Sequence, residues 1–143
     1  MSVVRSCRRS AAGAMLCGVL FSVACAEDDF VGLDPAAAVF EVRVADQENF
    51  RFAVTDAERI AAAEAILAEG RETIVAGDLA HGDGAHNAPY SWHLVAESIH
   101  FPDQTIEACS GRPMSDVEAD LDYWVDNLGR YCPWSARILR RVR

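Results

Sequence analysis

Val39-Phe40-Glu41-Val42-Arg43-Val44 alternates apolar and charged residues, and Phe50-Arg51-Phe52-Ala53-Val54 repeats the alternation after the turn-like residues 46–49. Successive side chains of a strand point to opposite faces, so Phe40, Val42 and Val44 share one face and Glu41 and Arg43 the other. The two runs predict a hairpin. Directly after it, Thr55-Asp56-Ala57-Glu58 has the spacing of a capping box, in which hydroxyl and carboxylate satisfy each other's free backbone amides. A helix is expected from there to about Glu69, burying Ile60, Ala63, Ile66 and Leu67, with Gly70 as its stop.

Further along, residues 73–80 read as a strand interrupted at Gly77. His81-Gly82-Asp83-Gly84-Ala85-His86-Asn87-Ala88-Pro89 is a loop, since glycine, asparagine and proline break both periodicities. Residues 91–95 and 104–109 read as two more strands joined through Pro102-Asp103. Ser115-Asp116-Val117-Glu118 is a second capping box. The helix it opens carries Val117, Leu121, Trp124, Val125 and Leu128 as an apolar stripe and stops at Gly129. Cys132-Pro133-Trp134 then leads into a last strand over residues 135–142. The order ββαβββαβ predicts an α+β fold, a small, mostly antiparallel sheet with two helices packed on one face.

Upstream of the hairpin, residues 1–26 have the three parts of a secretory signal peptide. Arg5, Arg8 and Arg9 form the positive region, and the apolar run over residues 11–24 is short of the ~20 residues of a bilayer span. Ala24-Cys25-Ala26 supplies a small-residue cleavage site, so the exported chain is expected to begin at Glu27. The competing reading is lipidation at Cys25, since Val23-Ala24-Cys25 resembles a lipobox with Ser22 where leucine is usual. Residues 27–38, acidic and then alanine-rich, read as a linker, and residues 39–143 as the secreted domain. Of five cysteines, Cys7, Cys17 and Cys25 lie in or at the edge of the leader. That leaves Cys109 and Cys132, an even number in an oxidising compartment, and a disulfide between them is expected.

A chain of 143 residues with 51% hydrophobic residues suffices for one packed domain and excludes wholesale disorder. All its basic residues are arginine. The formal charge of −9 becomes −12 once the three leader arginines are set aside. Such a domain is repelled by nucleic acid and by anionic membrane, so neither is expected as a partner, lipidation at Cys25 apart.

Several of these segments together resemble one family. The run 52–67, the strand Tyr90-Ser91-Trp92-His93-Leu94, the step Glu107-Ala108-Cys109, Val117-Glu118 and Tyr131-Cys132-Pro133-Trp134-Ser135 are similar to small secreted bacterial proteins related to the amino-terminal domain of a eukaryotic calmodulin-binding protein. The resemblance covers most of residues 39–143, and supports the pairing of Cys109 with Cys132. It supplies no catalytic residues. It does not by itself imply calmodulin binding, because calmodulin grips basic amphipathic helices and both helices here are acidic on their exposed sides.

Three groups of side chains are candidates for chemistry. His81, Asp83 and His86 could ligate zinc or another divalent ion, although their spacing matches no established metal motif and glycine-rich surface loops share the composition. Glu118, Asp122 and Asp126 form a stripe of like charge on the second helix, which reads as a solvated face. His93 and His100 have general-base chemistry but no nucleophile beside them in sequence. Trp92, Trp124 and Trp134 could line a ligand groove, as aromatic clusters do, but in a domain this small they read as core. The functional expectation is a secreted, non-enzymatic binding or interaction domain for an unknown protein or small ligand, without cofactor. The alternatives are a metal-dependent hydrolase built on His81, Asp83 and His86 with His93, and an inhibitor acting through the 81–89 loop.

Overall fold

The computed structural model describes residues 30–109 and 114–143. The expected signal peptide, with its arginines and Cys25, lies outside the described residues. Among those described, no helix is long and apolar enough to cross a membrane.

The alternating runs pair as expected. Strand β1 (Ala38–Val44) and strand β2 (Glu48–Val54) form an antiparallel hairpin with Phe40 opposite Phe52 and Val42 opposite Phe50. The turn is tighter than the sequence suggests: Ala45 and Asp46 both take positive φ, and Gln47 N–H closes on the Val44 carbonyl at 3.0 Å. Helix α1 (Ala57–Glu69) follows, ended by Gly70 at φ 64° with its N–H on the Ile66 and Leu67 carbonyls. Its cap is Asp56, whose carboxylate accepts the Arg59 amide at 2.9 Å, and not Thr55. Thr-Asp offers two capping residues in succession, and the chain enters the helix one residue later than the box predicts.

Beyond α1 the order departs from ββαβββαβ. The interrupted strand at 73–80 is two strands in different sheets: β3 (Glu72–Thr73) and β4 (Gly77–His81). Gly77 sits at the crossing, where a Cβ would lie 3.0 Å from Ile99 Cδ1 and 3.2 Å from Leu94 Cβ. Strand β5 (Trp92–Leu94) appears where expected. Residues 104–109 do not form a strand. They end in a 3-10 turn (Glu107–Cys109), because the Cys109 sulfur must reach Cys132, whose N–H donates to the Cys109 carbonyl at 2.7 Å. The second helix is broken into α2 (Met114–Ala119), α3 (Leu121–Tyr123) and a π-turn (Trp124–Leu128). Asp120, at φ −136° and ψ 48°, interrupts the helical backbone. Met114 is already helical, so Ser115 lies inside the helix and its N–H donates to Glu48 at 3.2 Å instead of belonging to a box. Two further strands complete the chain, β6 (Arg130–Tyr131) and β7 (Ala136–Arg141).

The strands form a four-stranded sheet, β2-β1-β7-β3, and a three-stranded sheet, β5-β4-β6, all pairs antiparallel. The core lies between them. Phe40, Val42, Phe50 and Phe52 of the first sheet meet Leu79, Trp92, Leu94 and Tyr131 of the second, with Ala63 and Ile66 of α1 and Met114, Val117 and Trp124 closing the sides. Leu121, Val125 and Leu128 pack against this core, so the stripe read from sequence survives the break at Asp120. Burying large apolar side chains of this kind gives about 1.5–3 kcal/mol each before entropy is set against it. Residues 30–37, within the stretch read as a linker, lie on the opposite face of the first sheet. There Phe30, Leu33 and Ala37 cover Val39 and Ala53.

Candidate functional site

The loop joining β4 to β5 is the leading candidate by sequence, and its side chains prove to hold the loop itself. Asn87 is buried. Its carbonyl oxygen accepts the Arg51 amide of β2 and its amide donates to the Trp92 carbonyl of β5, both at 2.8 Å. Asp83 accepts the Ala85 amide on its carboxylate at 3.0 Å, and its own carbonyl takes the Asn87 amide at 2.9 Å. His86 is turned inward, 4% exposed. Its Nδ1 donates to the Gly84 carbonyl at 2.7 Å, and Nε2 is buried with no partner. The His93 ring stands edge-on to it at 5.7 Å, with Nδ1 on the Gly82 carbonyl at 2.8 Å. Gly84 passes between the two rings at φ 59°, and a Cβ there would meet His93 Cγ at 2.5 Å and His86 Cε1 at 2.8 Å. Burial, and next the charges of His93 and Arg51, pull the His86 imidazole below its ordinary value, against the Gly84 carbonyl and Asp83.

His81 does not join this group. It leaves the end of β4 toward Asp122, with Nε2 3.9 Å from a carboxylate oxygen, and both side chains are largely exposed. Among the described residues no three His, Cys, Asp or Glu side chains come together as metal ligands. The other stripe carboxylates differ in use: Glu118 accepts the Ser91 amide at 2.9 Å, while Asp126 faces solvent. His100 is occupied in a backbone bridge with Ala76, and its Nδ1 contacts the Ser98 carbonyl at 2.9 Å.

The second polar network crosses the outer face of the four-stranded sheet. Arg140 grips the Glu41 carboxylate through Nε at 2.9 Å and Nη2 at 2.7 Å, and Asn49 donates to its other oxygen at 2.9 Å. Burial alone would raise the Glu41 carboxyl. The Arg140 hydrogen bonds and charge, then Asn49 and Arg51, outweigh burial and hold it below its ordinary value. Both Arg140 nitrogens converge on one oxygen, Oε2, and Asn49 takes Oε1, so little is left over for a ligand.

Hollows of about 360 Å³ beside the 81–89 loop and about 220 Å³ beside Glu41 and Arg140 are smaller than the space next to the cysteine pair. Cys109 and Cys132 are at disulfide distance, with Cα atoms 5.2 Å apart across 23 residues of chain. The Thr105 hydroxyl contacts both sulfurs, at 3.3 and 3.1 Å. Beside this bridge a cleft of about 540 Å³ opens between the β3 edge and residues 101–105, with Trp134 lining it. Trp134 follows Cys132-Pro133 and is 44% exposed, which corrects its reading as core, whereas Trp92 and Trp124 are buried. Ile106, next to the cleft in sequence, is 69% exposed. The lining combines apolar surface from Ile74, Phe101 and Trp134 with polar groups from Arg71, Asp103 and Gln104. A concave site of this size with a few polar groups is the usual form of a small-ligand or peptide pocket. None of these residues stands out for function in the sequence except Trp134. The signal available is a tryptophan two residues after a bridged cysteine, with Pro133 between them.

Fold and cleft together define a small α+β domain with one disulfide-distance cysteine pair and a ligand-sized groove beside it. The chain belongs to the BP-74 N-terminal domain family, whose model matches residues 36–143. This agrees with the relation read from the Trp-His-Leu and Cys-Pro-Trp-Ser segments. No curated protein and no solved structure matches the chain.

Proposed function

We propose that the chain is an exported binding domain that holds its ligand in the cleft beside Trp134 and releases it chemically unchanged. The observation that carries this reading is the half-exposed indole. Leaving a tryptophan in water forgoes burial worth about 25 cal/mol per Å², and aromatic side chains in that situation are the usual anchors of binding surfaces. The lining contains neither an imidazole nor a free thiol. The sequence leader supports export, and a cysteine bridge close to the groove suits an oxidising compartment. The loop at 81–89 supports the inhibitor and metal-hydrolase alternatives less well, since Asn87 and His86 are spent on its own conformation.

The test is equilibrium binding of the exported chain to panels of short peptides and oligosaccharides, read by calorimetry and compared with Trp134→Ala. A ligand lost in the variant and recovered intact by mass spectrometry is the expected result. Cleavage or modification of that ligand sinks the non-enzymatic reading.

A further inference from the structure

We infer that the cleft takes an extended peptide segment as an added strand, laying an apolar side chain on Trp134 and a basic one toward Asp103. The inference rests on the binding reading above and names its ligand. One wall is β3, the outer strand of its sheet, whose second side is turned away from β7. The opposite wall is residues 101–105. The two chains are zipped together at one point, where Ala76 and His100 exchange both amide hydrogen bonds, at 3.0 and 2.9 Å. From there they part. Continuing the antiparallel register sets Ile74 opposite Pro102, which has no N–H to donate, so the ladder cannot close on itself.

What the cleft leaves unmet is backbone. Among the described residues no hydrogen bond takes the amides of Ile74, Asp103, Gln104 or Thr105. Its polar side chains are mostly engaged already: Arg71 with Glu69 at 2.6 Å, Glu72 with Arg137 at 3.7 Å, and the Thr105 hydroxyl with the two sulfurs. A saccharide is recognised through side chains stacked on and bonded to its hydroxyls. An extended peptide is recognised through main-chain hydrogen bonds, with pockets for alternate side chains. Free amides beside occupied side chains favour the peptide. Charge narrows it further, since Asp103 is exposed without an ion pair among the described residues and residues 27–143 carry −12, which attracts a basic segment.

Random dodecapeptides displayed on phage and panned on the full exported chain provide the probe. Enriched sequences should carry arginine or lysine, and their synthetic forms should bind at least about tenfold more weakly to Trp134→Ala and to Asp103→Arg. A scan of single backbone N-methylations should weaken binding by about tenfold at alternate positions and spare those between, as one-sided strand pairing requires. Should Trp134→Ala melt early, Asp103→Arg carries the test, because an exposed, unpaired carboxylate is not needed for folding. Absence of enrichment, indifference to both variants, or N-methyl effects without alternation would overturn strand addition. A saccharide array separates the two readings. A glycan that needs Trp134, found where no peptide binds, removes the peptide and leaves the binding domain standing; no ligand of either kind that depends on Trp134 removes both.

Discussion

His86 shows most clearly how a residue chosen for chemistry by its type is assigned to structure by its surroundings. Histidine is a metal ligand and a general base in the abstract, but here Nδ1 is committed to the Gly84 carbonyl and Nε2 is enclosed without a partner. A proton added to Nε2 would be a buried charge with no acceptor. The folded state therefore favours the neutral ring, and its pKa lies below the unfolded value of 6.5. The unfolded chain binds the proton more readily, so stability rises with pH through that window. It is fully present above 6.5 and is lost as pH falls from there through the folded value. Urea midpoints measured at a series of pH values should decline below 6.5, and His86→Gln should flatten that part of the curve. Glu41 acts in the same direction in a separate window, losing its contribution as pH drops from 4.5 through its lowered value. A profile flat between neutrality and the carboxylate range in the unmodified chain would contradict the assignment of His86.

At the scale of elements, Asn87 does for the 82–90 loop what a strand pairing would otherwise do. Its amide group joins the free side of β2 to β5, so a single side chain holds the loop and covers one position on an open sheet edge. Asn87→Ala leaves the Arg51 amide and the Trp92 carbonyl unsatisfied and should cost about 2–4 kcal/mol, read by chemical denaturation. A variant as stable as the parent would show that water replaces both bonds. The sequence displays this loop plainly through its glycines, but cannot show that Asn87 rather than a histidine is its pivot, because the partners are backbone groups of β2 and β5 that no side-chain pattern reports. Local elements are legible where periodicity is set by burial on one face, as in β1, β2 and α1. They are illegible where a distant constraint decides. Residues 104–109 have strand-like composition, yet the cysteine bridge draws their end into a 3-10 turn. Asp120 breaks a helix whose apolar spacing runs on undisturbed.

For the molecule as a whole, the bridge between Cys109 and Cys132 encloses the segment that carries Met114, Val117 and Trp124 into the core. Closing a loop of this length removes entropy from the unfolded chain worth about 3 kcal/mol, a large part of the roughly 5–15 kcal/mol typical of a domain. Reduction, or Cys132→Ser, should therefore lower stability by about 2–5 kcal/mol, and Trp124→Ala by about 3–5 kcal/mol. Thermal melts with and without reductant decide the first, and free-thiol titration of residues 27–143 after denaturation should find neither cysteine free. The α+β class and the cysteine pair are readable from sequence because both follow from composition and pattern along the chain, whereas the division into two sheets, in place of one sheet with two helices on one face, is not. The cleft is not. It exists only because β3 and residues 101–105, separated by two strands and a loop, come together at Ala76 and His100 and then diverge.

The brevity of β3 has a consequence for life at high concentration. Long bare strand edges recruit further chains of the same kind and grow into fibrils, which proteins resist with short edges, charge and proline. This edge is Glu72–Thr73, flanked by Arg71 and faced by Pro102. It offers purchase for one short guest but too few rungs to template an unending stack, so receptivity at this edge need not bring amyloid with it.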